Sequence, residues 1–324
     1  MSEYQYYEFQ AIDLPLSRAD QKALRAISSR ARITAASLTN TYEWGDFKGD
    51  PDKLMERWFD LHLHLTNWGF RRLMVRLPQV RVDRAAIDRF LGKAEGVRFW
   101  AAGGHLILDI TREEVGLDEE MSEESDSGAG WLGVLGTLRA EVIAGDLRLF
   151  HLLWLTAVEA GAIKDNAPEP LPGIRPLTGA LAAFGDFFGI DPDLIQAAAE
   201  SSPNGKRTAE GLRARARIIG RERERVLAEE AAAERRSREQ EAEKALRKRI
   251  DEVRKQGASV WGEVEAQIER GCASGQEKAA ALLRDLRIFA EESGTLPDFA
   301  RRLADIRVRH ARRKPLIEQL RGIG

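Results

Sequence analysis

The chain has 324 residues, with 50 Lys and Arg against 52 Asp and Glu and a net charge of −2. That near balance excludes the global basic field that marks many nucleic-acid binders. Its single cysteine, Cys272, excludes an intrachain disulfide and a cysteine-based zinc site, and points to a reducing compartment.

The N-terminal stretch MSEYQYYEF has neither a basic n-region nor an apolar h-region, so no secretory signal is expected there. No apolar run reaches the ~18 residues of a membrane span. The longest candidate, 147–162, is interrupted by Arg148, His151 and Glu159. These features predict a cytoplasmic protein with no membrane segment.

Residues 4–13 predict a strand, apolar at Tyr6, Phe9 and Ile12 and ended by Pro15. Ser17 is placed as a helix N-cap, with Asp20 as the acidic partner of a capping box and Leu24 and Ile27 on the apolar face. Residues 33–44 return to β-branched and aromatic types and predict a second strand. Next comes Trp44-Gly45-Asp46-Phe47-Lys48-Gly49-Asp50-Pro51, where Asp50 suits an N-cap and Pro51 the first helical position. Leu54, Trp58, Leu61 and Leu65 then fall at helical spacing and predict a helix ending near residues 67–69. A strand at 70–77 stopped by Pro78, a helix at 82–91 closed by Gly92, and a hairpin of 97–101 with 106–111 about Gly103-Gly104 complete this part. The order predicts an α+β N-terminal module over residues 1–112, with helices covering one face of a mixed sheet.

Residues 113–130 are acidic and rich in Ser and Gly, which predicts a linker. Residues 131–202 follow as a helical region, most apolar at Leu147, Leu149, Phe150, Leu152, Leu153, Trp154 and Leu155. Pro168, Pro170, Pro172 and Pro176 mark a rigid connection within it. After Pro203-Asn204-Gly205, residues 206–256 contain no proline and are packed with Arg, Glu, Ala and Lys. They predict one long charged helix of roughly 75 Å at ~1.5 Å per residue. Leu212, Ile219 and Val226 recur seven apart, but the partner positions, such as Arg215 and Glu222, are charged. One apolar residue per heptad is fewer than a coiled coil wants. Leu246, Ile250 and Val253 form an apolar stripe that should dock on the tail. Residues 258–324 predict a C-terminal helical bundle, with Trp261, Val264 and Ile268 on its first helix. The fold class expected is therefore an α+β module followed by mostly α structure.

Two stretches carry a resemblance. Tyr7-x-Phe9-x-Ala11-Ile12-Asp13-x-Pro15-Leu16, Arg32-Ile33-Thr34 and Trp44-Gly45-Asp46-Phe47-x-Gly49-Asp50-Pro51 resemble a family of uncharacterised bacterial proteins. Ala279-x-x-Leu282-Leu283-x-Asp285-Leu286-Arg287, Phe299-x-x-Arg302-Leu303 and His310-x-x-x-Lys314 resemble the helical tail of bacterial SWIM zinc-finger proteins. The Cys-x-Cys of the SWIM zinc motif is missing, so the resemblance implies a helical docking module and no metal site.

Trp44, Asp46 and Asp50 are the candidate ligand-binding residues, since an indole and two carboxylates meet at a strand-to-helix junction. The competing reading gives each a structural job, in a tight turn, a cap and an aromatic staple. His62 and His64, two apart on the predicted helix, would point to different faces and could not share a metal. His105 and His151 are isolated, and Cys272 has no local partner. There is no P-loop, no Gly-x-Ser-x-Gly elbow, and no Gly-x-Gly-x-x-Gly after a predicted strand, so no cofactor is expected. Arg213, Arg217, Arg221 and Arg225, within a cluster that includes Arg215 and Arg223, are the candidate nucleic-acid contacts. They would grip phosphates in a salt-sensitive, sequence-independent way. Against this, Glu and Arg alternate further on, as in a solvated helix with i,i+4 pairs, and the stretch has no aromatic residue for base stacking.

The sequence thus predicts a non-enzymatic interaction or scaffold protein of a bacterial multi-protein assembly, with protein partners. One alternative is a nucleic-acid-associated protein using the arginine cluster. The other is an enzyme with a site near Trp44 and Asp50. The oligomeric state stays open.

Overall fold

Alternating aromatic and aliphatic residues from both halves of the first hundred positions come together in one antiparallel sheet. The computed structural model describes residues 4–116, 128–171, 173–200 and 207–323. The interior of the acidic stretch, Pro172, and Pro203-Asn204-Gly205 with Lys206 lie outside the described residues. The chain forms two units, Met1–Arg223 and Glu224–Gly324.

The first unit opens with β1 (Gln5–Gln10), α1 (Arg18–Ile27), β2 (Arg32–Ile33), β3 (Ser37–Tyr42) and α2 (Pro51–Arg57). Then come β4 (Leu61–Thr66), β5 (Arg71–Pro78), α3 (Arg84–Leu91), β6 (Val97–Ala102) and β7 (His105–Arg112). The seven strands lie in the order β2-β3-β1-β4-β5-β7-β6, and each neighbouring pair is antiparallel. The expected mixed sheet is therefore corrected to an antiparallel one. The hairpin β6–β7 turns at Gly103 and Gly104, both at positive φ, the geometry that a two-residue turn requires.

Strand side chains alternate between faces. Leu61, Leu63, Leu65, Leu73, Val75, Leu77, Leu108 and Ile110 fill one side. Tyr7, Phe9, Leu38, Met74 and Ile107 fill the other. Both faces are apolar, so both are covered by helices, not one as the sequence suggested. On the second face Leu24 of α1 and Leu54 and Met55 of α2 pack down. On the first lie α3, α4 (Trp131–Leu135), α5 (Thr137–Ile143), α6 (Arg148–Glu159), α7 (Gly179–Phe187) and α8 (Pro192–Ala199). Leu212 and Ile219, from the start of α9 (Ala209–Gln256), belong to the same cluster. The two leading residues of the seven-residue seam are thus core residues of this unit.

The helix expected from 51 to beyond 65 is a second correction. α2 stops at Arg57, and β4 begins at Leu61. Leu54, Trp58, Leu61 and Leu65 do fall at helical spacing, but Leu61-His62-Leu63-His64-Leu65 also alternates with a period of two. Pairing on both sides, with β1 and β5, decides in favour of the strand.

The second unit contains the remainder of α9 with α10 (Ser259–Glu269), α11 (Ala273–Ser293), α12 (Leu296–Arg309) and α13 (Lys314–Arg321). Val260, Val264 and Ile268 of α10 meet Leu283 and Leu286 of α11, Phe299 and Leu303 of α12, and Leu316 and Leu320 of α13. Val253, near the end of α9, joins them. From 221 to 245 nearly every α9 side chain is exposed. Ion pairs along the helix, such as Arg225 with Glu229 and Arg238 with Glu234, support such a solvated helix. Among the described residues, no helix is long and apolar enough to cross a membrane.

Candidate functional site

The second face of the sheet gathers most of the polar chemistry. Because β4 is a strand, His62 and His64 lie on the same face, not on different ones as a helix would place them. The register sets His62 opposite Phe9 and His64 opposite Tyr7 of β1. Each imidazole stacks on that ring at a centroid distance of 3.9 Å. His62 Nδ1 lies 3.0 Å from the Glu8 carbonyl oxygen, which can only accept, so this nitrogen carries the proton. Its Nε2 is buried without a partner among the described residues.

Burial, reinforced by the charge of Arg72, holds His62 well below the usual histidine range. The same two causes, burial first, push His64 down to about 4. Both rings are neutral at pH 7. Tyr7 donates its hydroxyl to Gln5 Oε1 at 2.8 Å, and His64 Nε2 approaches the same oxygen at 3.3 Å. Burial, with the nearby charge of Asp46, pushes the Tyr7 phenol up to about 12. Gln5 Nε2 then donates to Asp46 Oδ1 at 2.8 Å and to the Gly45 carbonyl at 3.3 Å.

The loop from Trp44 to Asp50 is therefore fastened to this face through Gln5. Phe47 is buried between Tyr7 and Phe9. Asp50 caps α2, accepting from the amides of Asp52 at 3.1 Å and Lys53 at 3.4 Å. Trp44 projects into solvent, 72% exposed. Of the three predicted ligand-binding residues, Asp46 and Asp50 are exposed but hold the loop through their hydrogen bonds, whereas the Trp44 ring makes no hydrogen bond or ring contact among the described residues. Replacing Asp50 by Ala should cost about 1 kcal/mol, read from urea unfolding followed by tryptophan fluorescence. A much larger loss would mean that Asp50 does more than cap.

Further along this face, two arginines and two aspartates form a closed network. Arg72 donates to Asp109 from Nε at 2.8 Å and Nη2 at 3.0 Å, and reaches Asp52 at 2.5 Å. Arg98 donates from Nε to Asp109 at 2.9 Å and reaches Asp52 at 3.2 Å. Asp109 is 1% exposed. The network ties β5, β7 and β6 to α2, with charges matched within it.

Two more buried carboxylates anchor the helices. Asp60 accepts from the amides of Ile12 at 2.6 Å and Asp13 at 2.9 Å, and from Arg76 at 2.9 Å and 3.1 Å. Arg139 of α5 lies 3.5 Å away and also donates to the Arg76 carbonyl at 2.7 Å. Burial alone would raise the Asp60 carboxyl, but these amides and Arg76 outweigh it and hold it below the usual range. Glu169 receives both guanidinium arms of Arg207 at 2.6 Å and 2.8 Å. His151 Nε2 lies 3.2 Å from Glu169 Oε1, at ion-pair distance but out of line for a hydrogen bond. Burial would raise Glu169 too, and His151 and Arg207 overcome it. Among the described residues, no group of three His, Cys, Asp or Glu side chains could hold a metal ion.

Comparison of the chain with family models, curated proteins and solved structures found no match.

The arginines at the start of α9 divide into two sets. Arg213 pairs with Asp165 and donates to the Val158 carbonyl at 3.1 Å. Arg215 pairs with Glu200, and Arg223 with Asp193 at 2.9 Å. These three fasten the start of α9 to the rest of the first unit. Arg217 pairs with Glu210 at 2.8 Å but stays exposed, Arg221 donates to its own helix at the Arg217 carbonyl, and Arg225 lies 3.8 Å from Glu229. Arg217, Arg221 and Arg225 form the outward set.

One site had no signal in the sequence. A cavity of about 620 Å³ is lined by Arg112, Glu113, Leu153, Glu159, Phe184 and Phe188 among others. Its volume lies in the small-molecule range. Arg112 is held at its wall by the Phe188 carbonyl at 3.0 Å and Glu159 at 3.2 Å. Its lining comes from four separated stretches, so no local motif announces it. The Gly128-x-Gly130-x-x-Gly133 pattern opens α4, a helix of five residues, and Gly128 lies flat against the Tyr6 ring. It is a packing feature and not a phosphate loop.

Proposed function

We propose that the chain is a non-enzymatic interaction protein of a bacterial multi-protein assembly. The observation that supports this reading is how its polar groups are engaged. Asp60, Asp109 and Glu169 are each buried and paired with arginines of the same chain. His62 and His64 are covered, stacked and neutral. Catalysis needs acids, bases or nucleophiles that face a substrate, and these groups face one another. Among the groups offered outward are the Trp44 ring and the exposed charged length of α9 from 221 to 245.

Cross-linking in the host, followed by purification of the full-length tagged chain and mass spectrometry, tests the reading. The expected result is a defined set of protein partners with cross-links on α9 near Lys244 or beside Trp44. Replacement of Trp44 by Ala, or reversal of Arg235, Arg236 and Arg238, should remove partners selectively. A chain recovered alone, turning over a small molecule in its 620 Å³ cavity, would sink the interaction reading.

A second reading rests on the outward arginines. Arg217, Arg221 and Arg225 could track a phosphate backbone, whereas Arg213 is engaged by Asp165 and Val158. Nucleic-acid affinity that falls with the logarithm of salt, and is lost on reversing those three charges, would transfer the function to this reading.

A further inference from the structure

The sheet ends on an open edge at β6. In the β6–β7 ladder the Thr111 amide donates to the Gly96 carbonyl at 2.8 Å, so residues 96 and 111 form a hydrogen-bonded pair. Such pairs recur at every second residue in an antiparallel ladder. With Arg98 opposite Asp109 and Trp100 opposite Ile107, the groups of Arg98, Trp100 and Ala102 point to β7. The amides and carbonyls of Val97, Phe99 and Ala101 therefore point away from the sheet. Among the described residues only one of these groups has a partner: the Phe99 carbonyl, which accepts from Arg84 Nη1 at 3.3 Å. The strand reads Val-Arg-Phe-Trp-Ala-Ala, holds no proline and one charge, and none of its residues is fully buried. Natural edges are usually blunted by charge, proline or brevity. The opposite edge, β2, is only two residues long.

We propose that β6 pairs antiparallel with β6 of a second copy of this chain, about a two-fold axis at Phe99, to form a sheet continuous across the dimer. The register follows from the outward groups. Only pairing of Val97 with Ala101 and Phe99 with Phe99 lets all of them bond. That register sets Arg98 of each copy opposite Trp100 of the other. No like charges then meet, and a guanidinium lies beside an indole on the same face. Within one copy Arg98 already sits 5.1 Å from the Trp100 ring centre, so the pair is compatible in kind. On the other face the Phe99 rings meet as a cross-strand aromatic pair, among the more favourable of such neighbours. Head-to-tail joining of β6 to β2 would gain little, because β2 offers only Arg32 and Ile33. Self-complementarity about a two-fold closes the assembly at two copies.

Arg84 is the guard of this edge. Its guanidinium lies 4.2 Å from the Phe99 ring centre, and its Nε is 2.7 Å from Asp88. The second copy takes the Phe99 carbonyl from it. Arg84 is largely exposed and keeps Asp88 when displaced.

Sedimentation velocity over a wide concentration range, on the full chain, tests the proposal. Wild type should pass from monomer to dimer. Replacing Ala101 by Pro removes an outward amide and no β6–β7 bond, a change that an edge strand tolerates. It should weaken dimerisation by roughly tenfold or more, since two symmetry-related bonds are lost. Arg84→Ala should tighten it several-fold. Amide hydrogen exchange on wild type supplies a readout that needs no variant: Val97, Phe99 and Ala101 should gain protection as concentration rises. A chain that stays monomeric throughout, with Arg84→Ala also monomeric, overturns the proposal. So does a dimer in which these three amides exchange freely.

Discussion

Replacing Asp60 by Ala should lower the stability of the sheet unit by about 3–5 kcal/mol. Asp60 is 0% exposed and meets four donors at once: the amides of Ile12 and Asp13 and two nitrogens of Arg76. Its removal orphans both amides and leaves Arg76, 7% exposed, without a countercharge. Arg139 keeps Asp13 at 2.5 Å and the Arg76 carbonyl, so α5 stays tethered. Breaking one partner of a buried pair is more damaging than the pair is stabilising, because the surviving charge stays desolvated. Asp60→Asn keeps one acceptor oxygen, enough for the Ile12 and Asp13 amides that now share Oδ2, and should lose less. A double variant, Asp60→Asn with Arg76→Met, should recover part of the loss, since no uncompensated charge is left. Urea unfolding followed by tryptophan fluorescence provides the measurement, in a Trp261→Phe background so that the signal comes from Met1–Arg223 alone. A loss below about 1 kcal/mol for the alanine variant would match a surface pair and would contradict the central place given to Asp60.

Local signals in the sequence located much of the fold, and the exceptions share a cause. Ser17 and Asp20 form the capping box their spacing indicates, and Asp50 and Pro51 open α2 as a cap and first residue. Gly103 and Gly104 turn the hairpin, and the tail resolves into helices with Val264, Leu283 and Leu303 inward. All of these depend on residues within a few positions of one another. β4 went unread because Leu54, Trp58, Leu61 and Leu65 mimic a helical stripe. Only the partners, fifty residues upstream in β1 and about ten downstream in β5, resolve the ambiguity. The mistake carried through to the chemistry: helical geometry separates His62 from His64, whereas strand geometry stacks both on one aromatic row. The Arg72–Asp109–Arg98–Asp52 network and the cavity beside Arg112 were invisible for the same reason. Each joins side chains from distant strands and helices, and no spacing rule reaches that far. The arginine-rich start of α9 was legible as a cluster. Its division into inward and outward sets depends on where Asp165, Glu200 and Asp193 happen to lie.

Acid should destabilise the sheet unit from about pH 6.5 downward, and His62 and His64 are the reason. Free histidine titrates near 6.5, whereas burial and Arg72 hold His64 at about 4 and His62 well below its usual range. Between these limits the unfolded chain binds protons that the folded chain refuses, so stability falls as pH falls. The contribution is fully present above pH ~6.5 and is lost progressively down to pH ~4. At about 1.4 kcal/mol per pH unit of displacement, His64 alone accounts for about 3 kcal/mol. His62 adds in the same direction, since protonation would place a charge and a second donor at an Nε2 that has no partner among the described residues. Other charged groups about the pair do not reverse the sign. Arg72 opposes protonation of both rings, and Asp46, which favours it at His64, is outweighed. Asp60 and Glu169 act at lower pH, because their carboxyls are held below the usual range and must be protonated by stronger acid. The measurement is unfolding free energy in urea at half-unit steps from pH 7.5 to 4.5. Wild type should lose stability steadily below pH 6.5. A His62→Phe/His64→Phe variant is less stable at pH 7, because the Glu8 carbonyl loses its donor, yet its slope from 6.5 to 4.5 should be much flatter. Parallel slopes for the two proteins would show that the stacked imidazoles are not the acid-sensitive element.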